Sequence, residues 1–119
     1  MSAIQKKRTR AFERQGGRCW YCGAPMWRAE DEEEFFARYN LSRKIAGVLQ
    51  CTAEHLRARC DGGGNGKGNI VAACLYCNQT RHRTSGRAPE PAQYRQFVRR
   101  RLKKGEWHPG RIAVLCKPA

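Results

Sequence analysis

Two Cys-x-x-Cys pairs, Cys19-Trp20-Tyr21-Cys22 and Cys74-Leu75-Tyr76-Cys77, constrain this chain more than any other feature. Two intervening residues let both sulfurs of a pair face one point from a tight turn. Two such turns supply a tetrahedral set of four thiolates at about 2.3 Å from a zinc ion. A closed four-sulfur set has no open position, so it is structural, and ion binding contributes folding energy. At 119 residues the chain is one domain, short enough that its core is modest and a metal staple would help. The other common use of Cys-x-x-Cys is a thioredoxin-like redox pair, but no βαβ pattern surrounds either pair. Cys51, Cys60 and Cys116 have no partner at motif spacing and read as buried or unreactive thiols.

Seven cysteines in a short chain could instead mean a secreted disulfide scaffold. The odd number, the two Cys-x-x-Cys pairs and the lack of an apolar leader argue for a reducing, cytosolic setting. No apolar run approaches the roughly 18 residues of a membrane span, so no membrane partner is expected.

The charge is +14, from 24 Lys and Arg against 10 Asp and Glu. Charge of that size speaks to partners rather than fold, and the usual partner is nucleic acid. It is concentrated at the ends: residues 1–29 carry +6, residues 30–60 carry −1 and residues 61–119 carry +9. The ends would meet a polyanion and the middle would not.

Along the chain, residues 3–15 read as a basic helix that Gly16-Gly17 stops, and residues 18–23 as a tight knuckle. Residues 30–46 read as one inserted helix. Its acidic first turn, Glu30-Asp31-Glu32-Glu33-Glu34, suits the positive end of the helix dipole, and its Phe35, Phe36, Tyr39, Leu41 and Ile45 pack on the core. A strand is expected over 48–55, a glycine-rich loop over 60–68, a short strand over 69–73 and a helix over 75–85. A strongly basic helix over 91–104 carries Tyr94, Phe97, Val98 and Leu102 on its apolar side. These divide into a basic N-terminal helix (1–17), a core (18–86) with a helical insertion at 28–47, and a basic C-terminal helix and tail (87–119).

Between the cysteine pairs lies a second constellation: Glu54-His55, Asn69, Asn78 and His82. Asn78 follows a knuckle cysteine directly and His82 lies four residues further on, so both share one helix face. Glu54, at the end of a strand beside that helix, could complete an open-sided metal site. A carboxylate, an amide and an imidazole would hold the ion, with His55 beside it.

These residues resemble the HNH endonucleases, the ββα-metal nucleases, in the branch that carries zinc. That branch reads roughly C-x-x-C, acidic-His, Gly-Gly, Asn and C-x-x-C-Asn. The chain supplies Cys19/Cys22, Glu54-His55, Gly62-Gly63, Asn69, Cys74/Cys77 and Asn78, over about residues 18–84. His82 stands where nuclease colicins and their relatives place a further metal histidine. Two positions depart from the common pattern. A proline frequent three residues after the histidine is Ala58, and a lysine frequent three after the asparagine is Arg81, which keeps the charge. The expected fold is therefore α+β: a small ββα-metal domain with a four-cysteine zinc, terminal basic helices and an inserted acidic helix.

The resemblance implies a metal-dependent DNA endonuclease or nickase. His55 would be the general base, since histidine titrates near working pH. A divalent ion on Glu54, Asn78 and His82 would bind the scissile phosphate and the leaving oxygen. Oxygen ligands favour Mg²⁺ and an inward His82 favours a transition metal, with Mn²⁺ or Ni²⁺ as substitutes. Asn69 would brace the glycine-rich loop and orient the base. Arg57, Arg59, Lys67 and Arg81 are candidates for phosphate contacts. Arg95, Arg99 and Arg100 on the C-terminal helix, with Lys6-Lys7-Arg8-Thr9-Arg10, would grip flanking phosphates of double-stranded DNA. Such contacts give affinity with little sequence preference, which a protein partner could supply. The competing readings are a zinc-ribbon nucleic-acid binder without catalysis and a partner-dependent subunit, as in phage DNA packaging.

Overall fold

A computed structural model describes residues 1–58, 62–66, 68–83 and 86–117. At its centre is a two-stranded antiparallel hairpin, β1 (Cys51–His55) and β2 (Ile70–Cys74), paired from Cys51 opposite Cys74 to His55 opposite Ile70. Strand β2 is buried along its whole length, which its small residues Ala72 and Ala73 permit. Helix α1 (Ala3–Arg14) packs on this hairpin. Its start is fixed by a capping box, Ser2 accepting from the Gln5 amide while the Gln5 side chain accepts from that of Ser2. Just past its end, Gln15 pairs with β2 like a strand residue: Nε2 donates to the Ala72 carbonyl (2.8 Å) and Oε1 accepts from the Ala72 amide (3.0 Å).

The insertion packs on the core, but it is not one helix. A 3₁₀ turn (Ala29–Asp31) leads into α2 (Glu32–Tyr39), which ends where Asn40 turns left-handed (φ 50°). Asparagine tolerates that conformation better than most residues. Ser42 then caps a new short helix, α3 (Arg43–Ala46), accepting from the Ile45 amide. Phe35 and Leu41 are buried, and Trp27 donates its indole N–H to the Ala46 carbonyl (2.8 Å), tying the insertion to the first knuckle.

The strand expected from residue 48 begins at Cys51, because Gly47–Leu49 closes a 3₁₀ turn. Helix α4 (Leu75–Arg81) follows β2 without a loop, capped by the Cys74 sulfur. It stops four residues short of the expected end, leaving His82 at the C-cap. Helix α5 (Pro91–Lys103) has Glu90 as N-cap and proline at its first position. Tyr94 and Val98 are its buried residues, and Tyr94 donates to the Cys77 carbonyl (2.8 Å).

A final short helix, α6 (Gly110–Ala113), buries Ile112 and turns the tail back over the first knuckle. There the Lys117 amide donates to the Gly23 carbonyl (3.1 Å), and Arg18 bridges the carbonyls of Gly23 and Leu115. Gly23 is required on two counts: its φ is +76°, and a Cβ there would stand 2.0 Å from the Lys117 carbonyl oxygen. Among the described residues no helix is long and apolar enough to cross a membrane.

Candidate active site and metal centre

The two Cys-x-x-Cys turns meet. Cys19, Cys22, Cys74 and Cys77 are all buried, and their sulfurs lie within 4.8 Å of one another. Both knuckles are built by the backbone. In the first, the Cys19 amide donates to the Ala24 carbonyl and the Gly23 amide to the Cys19 carbonyl, both at 2.9 Å. In the second, Cys74 ends β2 and caps α4. Three of the sulfurs accept an N–H: Cys19 from the Cys74 amide (3.3 Å), Cys74 from the Cys77 amide (3.4 Å) and Cys77 from the Trp107 indole (3.4 Å). Burial alone would raise the Cys19 thiol, but hydrogen bonds from Cys22, Cys74 and Cys77 outweigh it and hold Cys19 well below the usual thiol value. A buried set of four converging soft donors with N–H groups aimed at the sulfurs fits a closed, tetrahedral, structural metal ion.

Cys116 has no partner at motif spacing, and the fold supplies one. Cys116 and His108 both lie within 4.8 Å of Cys22, and His108 Nε2 is 3.3 Å from its sulfur. Burial lowers the His108 pKa to about 4. His108 and Trp107 escaped the sequence reading because nothing in motif spacing links them to the knuckles. The one available signal was their residue types, directly after a basic helix. Among the described residues Cys51 joins no such cluster, and burial pushes its thiol up to about 11. Cys60 lies outside the described residues.

Alternation along β1 divides the second constellation between two faces. Thr52 and Glu54 share the face toward α4. Asn78 Nδ2 donates to Thr52 Oγ1 (3.0 Å) and to the Ala53 carbonyl (3.4 Å), leaving Oδ1 as the atom suited to a cation. Glu54 is 2% exposed. Its Oε2 accepts from the Tyr21 hydroxyl (3.1 Å) and from Arg81 Nη1 (3.2 Å), and its Oε1 lies 3.0 Å from His82 Nε2. The His82 side chain is 36% exposed, so this pair is closed on the carboxylate side and open on the imidazole side. Burial, and then the Glu54 charge, drive the Tyr21 pKa upward, so this phenol stays a donor.

His55 lies on the opposite face of β1, its Nε2 2.8 Å from Asn65 Oδ1 in the glycine-rich loop. Asn69 holds that loop closed. Its Oδ1 accepts from the Arg57 amide (2.8 Å), and its Nδ2 donates to the carbonyls of Arg57 (3.0 Å) and Gly64 (2.7 Å). Gly63 is needed here, because a Cβ would meet the Arg57 carbonyl oxygen at 1.8 Å.

The candidate phosphate contacts separate by position. Arg81 faces inward. It is 3% exposed, and its guanidinium donates to Glu54, to the carbonyls of His55 (3.2 Å) and Leu56 (3.0 Å), and through Nε to Pro89 (3.0 Å). A residue so committed is an internal brace and not a surface cation. Arg99 is largely structural too, donating to the carbonyls of Tyr21 (2.6 Å) and Lys117 (2.9 Å). Arg95 lies 4.6 Å over the Trp20 ring. Arg57 and Arg100 are exposed, while Arg59 and Lys67 lie outside the described residues.

The arrangement of hairpin, helix and cysteine cluster agrees with the expected ββα-metal fold. No curated protein and no solved structure matches the chain. Residues 42–84, which carry β1, β2, α4 and the Glu54, His55, Asn69, Asn78 and His82 constellation, match the family model of the HNH endonucleases.

Proposed function

We propose that this protein is a metal-dependent endonuclease or nickase that hydrolyses phosphodiester bonds in double-stranded DNA. The observation that carries the reading is the convergence of Glu54 and His82 at 3.0 Å between β1 and the end of α4, with the imidazole reaching solvent. Next to Glu54 in sequence, His55 projects from the other face of the same strand.

Glu54 Oε1, Asn78 Oδ1 and His82 Nε2 would hold one divalent ion, Mg²⁺ foremost, with Mn²⁺ or Ni²⁺ able to substitute. Such an ion supplies charge neutralisation at the phosphoryl group and stabilises the leaving oxygen. His55 accepts a proton from the attacking water, and Asn65 and the Asn69-braced loop fix where the imidazole stands. Arg81 keeps the Glu54 carboxylate correctly turned, a positioning role. The four cysteines hold a structural zinc that locks the helix carrying Asn78 to the first knuckle.

Arg57 and Arg100, with the basic face of α1, supply phosphate contacts of low sequence preference. A protein partner would supply any specificity. The cytoplasm of a bacterial or phage-infected cell, where thiolate metal sites persist, is the compartment that fits.

The test is supercoiled plasmid incubated with purified protein and Mg²⁺ or Mn²⁺, beside a His55→Ala variant. Conversion to open-circular or linear DNA by the wild type alone supports the proposal. Plasmid that is retarded in a gel but left intact by both proteins would point instead to a non-catalytic zinc-ribbon binder. Activity that emerges only with a partner would identify a subunit of a larger nuclease.

A further inference from the structure

We propose that Cys22, His108 and Cys116 form a second metal site, which takes a soft or borderline ion such as Zn²⁺ or Cd²⁺ and shares the Cys22 thiolate with the four-cysteine centre. The cluster holds six ligand atoms where one tetrahedral ion needs four. The two extra donors do not surround the centre evenly, because both gather at one sulfur. Cys19, Cys74 and Cys77 each accept an N–H from a backbone amide or from the Trp107 indole. Cys22 instead has the His108 imidazole nitrogen at 3.3 Å and the Cys116 sulfur within 4.8 Å. A thiolate sulfur has lone pairs enough to bridge two ions. Two sulfurs and one imidazole nitrogen are a donor set that selects zinc-like ions over Mg²⁺ or Ca²⁺.

The site is also held in advance. His108 is 5% exposed, its ring packed beside those of Tyr76 (5.4 Å) and Trp107 (6.5 Å). Cys116 follows the last turn of α6, its amide donating to the Ala113 carbonyl (3.2 Å), and the next residue, Lys117, is fixed to Gly23 and Arg99. Cys116 is therefore placed by backbone contacts and His108 by ring packing, without an ion at this second site.

Beside them opens a cavity of about 310 Å³, lined by Cys22, Arg99, Leu102, Lys103, Cys116 and Lys117. It gives an ion a route in and leaves its fourth position to water or an external ligand. Its three cations suit a thiolate cluster that stays anionic. Adding one divalent ion and one further thiolate makes that cluster less negative than the four-thiolate centre alone. On binding, Cys116 gives up its thiol proton to solvent and His108 binds through Nε2 as the neutral imidazole.

The experiment is a titration of the untagged, metal-free, reduced full chain with Cd²⁺, followed by thiolate-to-cadmium charge-transfer absorption. This signal counts sulfur ligands and is blind to an ion held by Glu54, Asn78 and His82. It is therefore independent of whether the protein cuts DNA. The wild type is expected to saturate at about two equivalents with a five-sulfur amplitude. Cys116→Ser and His108→Ala are expected to lose the second equivalent, or to bind it at least about tenfold more weakly, while keeping the first and an unchanged circular dichroism spectrum. A wild type that saturates at one equivalent, with the same amplitude as Cys116→Ser, overturns the proposal. It would make His108 a hydrogen-bond partner of Cys22 and nothing more.

Discussion

His82 Nε2 stands 3.0 Å from Oε1 of Glu54, across the gap between the end of α4 and β1, while the other carboxylate oxygen is held by Tyr21 and Arg81. The imidazole also lies 3.3 Å from that second oxygen, so Oε2 is the more heavily held of the two and Oε1 faces the group that reaches solvent. In the proposed nuclease this asymmetry separates two kinds of defect. His82→Ala removes an ion ligand, so the Mn²⁺ concentration for half-maximal nicking should rise by about tenfold or more, with activity recovered at high Mn²⁺. His55→Ala removes the base, so the maximal rate should fall by roughly 10²–10⁴ with the Mn²⁺ requirement unchanged. Plasmid nicking measured across a Mn²⁺ series distinguishes them. Equal metal requirements in wild type and His82→Ala would remove His82 from the ligand set.

Arg81 is expected to matter for folding as much as for activity. Its partner Glu54 is buried, and removing one member of a buried pair leaves an uncompensated charge, at a cost of about 3–5 kcal/mol. Arg81→Ala should lose about that much in urea denaturation. Arg81→Lys keeps the charge but not the fork that also reaches the His55 and Leu56 carbonyls, so it should fall between wild type and Arg81→Ala. The double variant Arg81→Ala/Glu54→Gln should recover part of the loss, because the stranded carboxylate is gone. A cost under about 1 kcal/mol for Arg81→Ala would mean that Glu54 is satisfied without it.

Arg81 also marks the limit of what could be read from sequence. The spacing of Cys19, Cys22, Cys74 and Cys77 sufficed to predict one cluster, because the length of a knuckle is a local property. The same local logic puts Glu54-His55 on a strand and Asn78 on the helix after it. Arg81 looked like a phosphate ligand because a cation on a basic chain defaults to the surface. Only the fold reveals that its helix face turns inward onto Glu54. His108 and Cys116 meet Cys22 through the packing of α5 and α6 over the first knuckle, a contact that no short-range pattern encodes. The insertion was legible as apolar and helical. Its break at Asn40 and Ser42 was not, because apolar periodicity runs on through a left-handed cap.

Cys51 yields a prediction about pH. Burial raises its thiol from 9.0 to about 11 in the folded protein. Between those values the unfolded chain loses this proton and the folded chain keeps it. The contribution of Cys51 is therefore complete below about pH 9 and declines as pH rises toward 11. In Cys51→Ala that part of the alkaline decline should be absent, giving a flatter stability profile over pH 9–11 than the wild type. The same burial should leave Cys51 unmodified by iodoacetamide at pH 8.5 in native protein, as peptide mass mapping would show. Rapid native-state alkylation of Cys51 would contradict it.

Removal of the structural metal tests the link between the knuckles and the hairpin. The Cys74 sulfur ends β2 and caps α4, so an ion that joins it to Cys19 and Cys22 fastens α4 to the N-terminal third of the chain. Stripping that ion with a strong chelator should unfold the protein cooperatively, with loss of helical circular dichroism that zinc restores. Trp107→Phe offers a gentler version. The ring stays to pack edge-on against Tyr76 (5.2 Å) and Phe97 (6.0 Å), but the indole N–H to the Cys77 sulfur is gone. Outer groups of this kind are worth about 10–100-fold in metal retention, so zinc should pass to a colorimetric chelator faster by about that factor, at near-native stability of the loaded protein. Release at the wild-type rate would show that the indole only packs beside Cys77 and does nothing for the sulfur.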